Sequence, residues 1–216
     1  MVVGKEGTFP HTINKRIAEI LAYLNSGAAG FLANADSLII NAASIGPVVG
    51  STGIFTRLTT TNVTNVSGDL QYNRQLEPAF HCRFKLSSQT SSRLFIGLTT
   101  KTGGTMVASG LPTGDYAGLY MDAGDTTWKF VHSNGGSGTR VDEGTSTDSS
   151  IHDFYMWLKK SGGANSVIFQ LDNGDRVEVT SNIPSTSALM RPTCEAKAIG
   201  VTRSLDIAKV TIIQEA

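Results

Sequence analysis

Apolar and polar residues alternate with a period of two through the back two-thirds of the chain. Phe80, Cys82, Phe84 and Leu86 alternate with His81, Arg83 and Lys85. Phe154, Met156 and Leu158 alternate with Tyr155, Trp157 and Lys159, and Val167, Phe169 and Leu171 with Ile168 and Gln170. Successive side chains on a strand point to opposite faces, so each run predicts one buried face and one outer face. The pattern predicts strands near 79–86, 93–98, 117–121, 126–132, 138–143, 152–159, 165–171, 175–180, 193–201 and 205–213. The connections carry turn chemistry: Asp172-Asn173-Gly174-Asp175, Asp122-Ala123-Gly124-Asp125 and a longer Gly-rich loop from Ser133 to Gly138. Short strands at this spacing predict an all-β, two-sheet antiparallel jelly-roll sandwich.

The front third follows other rules. Ile13, Ile17, Ile20 and Leu24 recur at helical spacing, with Leu21 widening the stripe, Thr12 as N-cap and Asn25-Ser26-Gly27 as a stop. This predicts a short N-terminal α-helix over 12–25. A helix that short is marginal alone in water. Its stripe packs either on its own sandwich or on copies of itself, and isoleucine at both seam positions favours trimers. From 28 to 70 the chain turns to Ala, Ser, Thr, Asn and Gly, broken by short apolar runs such as Leu38-Ile39-Ile40. It is expected to be extended, pairing with neighbouring chains or with the main domain. The predicted organisation is an arm and oligomerisation helix over 1–27, an extended Ser/Thr/Asn-rich segment over 28–70 and a sandwich over 71–216.

Composition removes several functions. The 216 residues carry 18 Lys and Arg against 18 Asp and Glu, and charged residues make up only 17%. A nucleic-acid binder would show a basic stripe, so no nucleic-acid partner is expected. No apolar run reaches the roughly 18 residues of a membrane span, and Met1 to Pro10 lacks a signal-peptide core. Display outside a cell would therefore need lysis or a dedicated export system. Cys82 and Cys194, the only cysteines, fall in phase with apolar neighbours. They read either as two small core thiols or as a bridge between an early and a late strand.

The runs Phe95-Ile96-Gly97-Leu98, Ala117-Gly118-Leu119-Tyr120-Met121-Asp122 and Thr127-Trp128-Lys129-Phe130-Val131 resemble the concanavalin A-like lectin/glucanase superfamily. The likeness is to its laminin-G-like modules and to the sandwich domains of phage virion proteins. Ile151-His152-Asp153-Phe154, Leu171-Asp172-Asn173-Gly174 and Ser204-Leu205-Asp206-Ile207-Ala208-Lys209-Val210 are similar to strand starts and ends of that group. The resemblance covers roughly residues 75 to 213 and is structural in kind. With the helix and polar segment in front, the layout resembles a phage fibre or capsid-decoration protein.

The glycoside hydrolases of that superfamily use paired carboxylates on one strand. A Glu-x-Asp-x-x-Glu pattern is absent; Glu77, Glu143, Glu178 and Glu195 are scattered, and Asp142-Glu143 would face opposite ways on a strand. Hydrolysis is therefore disfavoured and no cofactor is expected. Asp122, Asp125, Asp172 and Asp175 lie in turns, where capping their own backbone explains them better than a metal site. Sugar rings pack on flat apolar faces with polar neighbours. Candidate glycan contacts are Tyr155 and Trp157, which face away from the core, and Tyr116 and Tyr120, which share a face. Tyr155 and Trp157 read more readily as cover for the second face, or as packing under the helix or the polar segment, than as sugar contacts. Trp128, in phase with Phe130, reads as core.

The expected function is non-enzymatic: a virion-surface protein, homo-oligomeric with a trimer favoured, anchored to capsid or tail proteins by its N-terminal arm. Its lectin-like head would attach to surface glycans. A stand-alone carbohydrate-binding module is the alternative, and a glycoside hydrolase the least favoured reading.

Overall fold

The computed structural model describes residues 30–34, 37–41, 56–60, 63–67, 70–101, 105–160, 165–201 and 203–213. The predicted helix over 12–25, with Ile13, Ile17, Ile20 and Leu24, lies outside the described residues.

The expected alternation becomes strands at nearly the expected places. They are β5 (Ala79–Leu86), β6 (Ser92–Thr99), β7 (Asp115–Met121), β8 (Thr127–Asn134), β9 (Thr139–Ser146), β10 (Ile151–Lys159), β11 (Ser166–Leu171), β12 (Val177–Val179), β13 (Arg191–Ala198) and β14 (Arg203–Ile213). Four earlier strands precede them: β1 (Gly30–Asn34), β2 (Ser37–Asn41), β3 (Thr56–Thr60) and β4 (Val63–Ser67). Sheet one runs β1-β2-β14-β5-β10-β11-β12, with β3 also on β14; sheet two runs β4-β13-β6-β7-β8-β9. All pairings are antiparallel. The architecture is an all-β sandwich.

Strand β14 shows how the front third is joined to the rest. Its first half, Arg203–Ile207, pairs with β3, and its second half, Lys209–Ile213, with β2. A bulge between Ile207 and Lys209 breaks the register against β5. One extra residue flips the facing of everything after it. That is why Leu205 and Ile207 join the core between the sheets at odd positions while Val210 and Ile212 join it at even ones. Strand β4 pairs with β13 on the other sheet, so strands on both sides of residue 71 belong to the same two sheets.

Between the sheets lies one core. Phe80, Phe84, Phe154, Met156, Phe169, Val210 and Ile212 meet Ile96, Leu98, Leu119, Trp128 and Phe130. Phe130 stacks on Phe169 at 5.0 Å, and Phe84 meets Trp128 edge-to-face at 5.7 Å. Each fully buried ring or aliphatic chain contributes roughly 1.5–3 kcal/mol. Trp128 is wholly buried, as its phase with Phe130 predicts. Cys82 and Cys194 face the same core from opposite sheets as free thiols. Burial, and then the hydrogen bond to Cys194, push the Cys82 thiol well above its ordinary range.

Candidate functional site

On the outer face of sheet one, the register sets Tyr155 between His81 of β5 and Gln170 of β11. The His81 and Tyr155 rings stack at 4.4 Å and 8°. His81 Nε2 lies 2.8 Å from Asp153 Oδ1, and Arg83 Nη1 lies 3.9 Å from Asp153 Oδ2. Tyr155 stays half-buried; burial, and then the Asp153 charge, push its hydroxyl well up from the usual range. Trp157 is next on the same face, 9% exposed, with Lys159 Nζ 5.5 Å from its ring. This face therefore sets an accessible ring edge among a carboxylate, a guanidinium and an amide. Such a mixture can hold a polyhydroxylated ligand.

The outer face of sheet two is different. Phe95 of β6 lies opposite Tyr120 of β7, and Thr99 opposite Tyr116. Phe95, Tyr116, Tyr120 and Val131 join Met106 and Val107 in a second buried cluster, with Leu111 packed against it. The strap 105–114, part of the connection between β6 and β7, covers the sheet. Glu195 on β13, wholly buried, accepts the Met106 N–H at 3.1 Å. Thr99 Oγ1 donates to Met106 Sδ at 3.4 Å, and Arg93 donates to the Ala108 carbonyl. Gly97 and Gly118 lie opposite each other, and a Cβ on Gly118 would meet the Phe95 ring at 2.9 Å. The two glycines leave the space that the aromatic layer fills.

Tyr116 and Tyr120 share a face, as expected, but they are wholly buried and offer no surface to a ligand while the strap lies over them. Burial pushes both hydroxyls up to about 12. The four candidate aromatics thus divide, two on each outer face, on opposite sides of the sandwich.

The turn acids have local partners. Asp122 takes Arg93 Nε at 2.6 Å and Arg140 Nη2 at 3.3 Å. Burial alone would raise its carboxyl, but these guanidinium groups and the Ala123 N–H hold it below its usual range. Asp172, at φ 51°, closes the turn after β11; its Oδ2 lies 2.8 Å from His152 Nδ1. Asp148 Oδ1 is 3.0 Å from His152 Nε2. Burial lowers the pKa of His152, yet the hydrogen bond to Asp172 and both carboxylate charges bring it above the usual imidazole value. Sequence spacing missed this clamp because the three residues meet through two different turns. Among the described residues no group of three or more His, Cys, Asp or Glu is placed to hold a metal ion.

No protein-family model matches the sequence, and no curated protein matches it. Solved structures do. A Bacillus licheniformis β-glucanase superposes with a TM-score of 0.54 at 13% identity, covering 88% of this chain and 100% of the enzyme. The carbohydrate recognition domain of Emp47p gives 0.53 at 13% identity, covering 89% and 93%. Peanut lectin gives 0.51 at 13%, covering 85% and 97%. At such identities the likeness speaks for fold alone. The described sandwich has the concanavalin A-like lectin/glucanase jelly-roll fold.

Proposed function

We propose that the protein is a non-enzymatic glycan-binding module, carried as the lectin-like head of a virion fibre or capsid-decoration protein. The observation that carries the binding role is the outer face of sheet one. There, half-buried Tyr155 stands beside Arg83, Asp153 and Gln170 on a fold that solved lectin and glucanase structures share. A binding rather than hydrolytic role is supported by how the acids are engaged. Asp153 faces His81 and Arg83, Asp122 faces Arg93 and Arg140, Asp148 and Asp172 face His152, and Glu195 is buried under the strap. Hydrolysis needs an acid and a second carboxylate free to act on opposite sides of one bond. The virion setting and the homo-oligomer, a trimer by preference, rest on the isoleucine seam of 12–25 and the Ser/Thr/Asn-rich stretch behind it. Among the described residues no helix is long and apolar enough to cross a membrane.

A glycan array probed with the full chain, and with Tyr155→Ala and Trp157→Ala, tests the binding role. Binding that weakens in the variants is expected; an array blank for every form overturns it. Release of reducing sugar from a β-glucan would restore the hydrolase reading. Light scattering at micromolar concentration is expected to show an oligomer. A monomer that still binds glycans would favour a stand-alone carbohydrate-binding module.

A further inference from the structure

At one end of the sandwich, four connections far apart in sequence surround an open cleft. They are the turn after β5, the turn after β7, the link from β9 to β10 and the turn after β13. The cleft measures about 500 Å³, and its polar lining comes from Gln89, Thr90, Ser91, Asp125, Thr126 and Thr147. That volume falls within the roughly 300–1,000 Å³ of small-ligand sites. The outer face of sheet one, with Tyr155 and Trp157, contributes nothing to it.

Two features separate this cleft from a chance gap between loops. First, its walls are tied to one another. Ile199 N–H donates to Ser91 O at 2.9 Å, and Arg203 donates to Thr90 O through Nε at 3.1 Å and Nη2 at 2.9 Å. Thr147 N–H donates to Thr126 O at 2.9 Å, and Gln89 Nε2 donates to Thr147 O at 3.3 Å. The Asp122–Asp125 turn is closed by Asp125 N–H on Asp122 O at 3.1 Å and by Asp122 N–H on Asp125 Oδ2 at 2.8 Å. A site whose walls are already ordered loses less entropy on binding. Second, its rim is apolar where a turn tip should be polar. Ile199 and Val201 flank Gly200 and are 39% and 40% exposed. Ile199 lines the cleft and Val201 stands two residues further along the same turn; exposed aliphatics this near a polar cleft point to an apolar ligand group.

The lining specifies the ligand. Hydroxyls, one amide and one carboxylate suit a hydroxyl-rich molecule. The carboxylate, the one charged group among the described lining residues, disfavours an anionic sugar. Ile199 and Ala123 offer methyl-sized contacts, and none of the described lining residues carries a flat ring for stacking. From this we infer that the end cleft is a second saccharide subsite, selective for a neutral sugar bearing a methyl group, as in a 6-deoxyhexose or an N-acetylhexosamine. The inference rests on the glycan-binding reading above and adds to it a location and a sugar class.

The test is ligand-observed NMR titration of the full chain with the methyl glycosides of fucose, rhamnose, N-acetylglucosamine, glucose and glucuronic acid. The methyl-bearing sugars are expected to bind about tenfold more tightly than glucose, the scale of one methyl contact. Glucuronic acid is expected not to bind. Ile199→Asp removes the apolar rim at an exposed position, and Gln89→Ala removes the amide. Each is expected to weaken methyl-sugar binding about tenfold. Thermal midpoints close to the parent's confirm that each variant folds. Equal binding by the parent chain, Ile199→Asp and Gln89→Ala overturns the cleft site and leaves the glycan-binding reading standing. Glucose binding as tightly as fucose overturns the methyl selectivity. A chain that binds none of these sugars, and no glycan on the array, overturns both.

Discussion

Tyr155 and Tyr120 come from the same kind of sequence, an aromatic ring on the second face of an alternating strand. On sheet one, Tyr155 lies half-buried against His81, with charged and amide groups around it. On sheet two, Tyr120 is sealed in a cluster with Met106 and Val107, and buried Glu195 holds the strap by accepting the Met106 N–H. The alternation that placed both rings is identical; their fates differ because the strap seals Tyr120 completely, while Tyr155 keeps part of its surface beside buried His81 and Trp157. Burial of the second face turns a candidate contact surface into a second small core. The period of a strand thus tells which side chains leave the main core, and a distant loop decides whether water or a ligand then reaches them.

The comparison can be broken in several ways. The largest effect is expected from Tyr120→Ala. Emptying a wholly buried aromatic site costs about 3–5 kcal/mol, read as a fall in the urea midpoint; a loss as small as that of a surface residue would show that the strap does not pack in solution. Next comes Gly118→Ala, which drives a methyl toward the Phe95 ring and the Ile96 carbonyl. Overpacking of this kind costs about 1–3 kcal/mol, and hydrogen exchange should show the strap amide of Met106 losing protection before the β10 amides do. Equal loss across both sheets would contradict a face-specific role. Tyr155→Ala, at a half-buried ring, is expected to cost about 1–2 kcal/mol, between a surface ring contact and a fully buried one, while glycan binding drops. A stability loss matching that of Tyr120→Ala would erase the distinction between the faces.

A pH titration supplies the gentlest test, because the His152 clamp joins two turns at the rim and belongs to neither outer face. His152 has its folded pKa raised above 6.5. Its contribution is fully present below the unfolded value and is lost as pH rises through the folded one. Asp148 is held below 3.8; burial opposes this, but the Ser150 N–H and then the His152 charge outweigh it. Its contribution is present above the unfolded value and fades as pH falls through the folded one. Thermal midpoints should therefore decline toward alkaline and strongly acid pH, and His152→Gln should flatten the alkaline limb. A wild-type profile level across that limb would remove the clamp from the account.

Particular residues show where sequence reading stops. The face of Trp128 follows from its phase with Phe130, and the turn at Asp172-Asn173-Gly174 from its composition; both are local properties. The bulge at Ala208 left a local trace too, in the switch of buried positions from Leu205 and Ile207 to Val210 and Ile212. The strap left a fainter one, the apolar pair Met106-Val107 inside a Gly- and Thr-rich loop. Nothing local marks Glu195 as a buried acceptor, since Met106, whose N–H it accepts, is 89 residues away in the chain.

What the chain specifies by itself is the alternation: which residues form strands, which side chains enter the shared core and where the hairpins turn. Those follow from steric and hydrophobic preferences acting over a few residues. Tertiary structure alone decided that Tyr120 is wholly covered and Tyr155 only partly, that Asp148 and Asp172 converge on His152, and that four separate connections border one cleft. Each of these depends on groups brought together across long sequence separations, and the register of the two sheets, not local composition, sets those meetings.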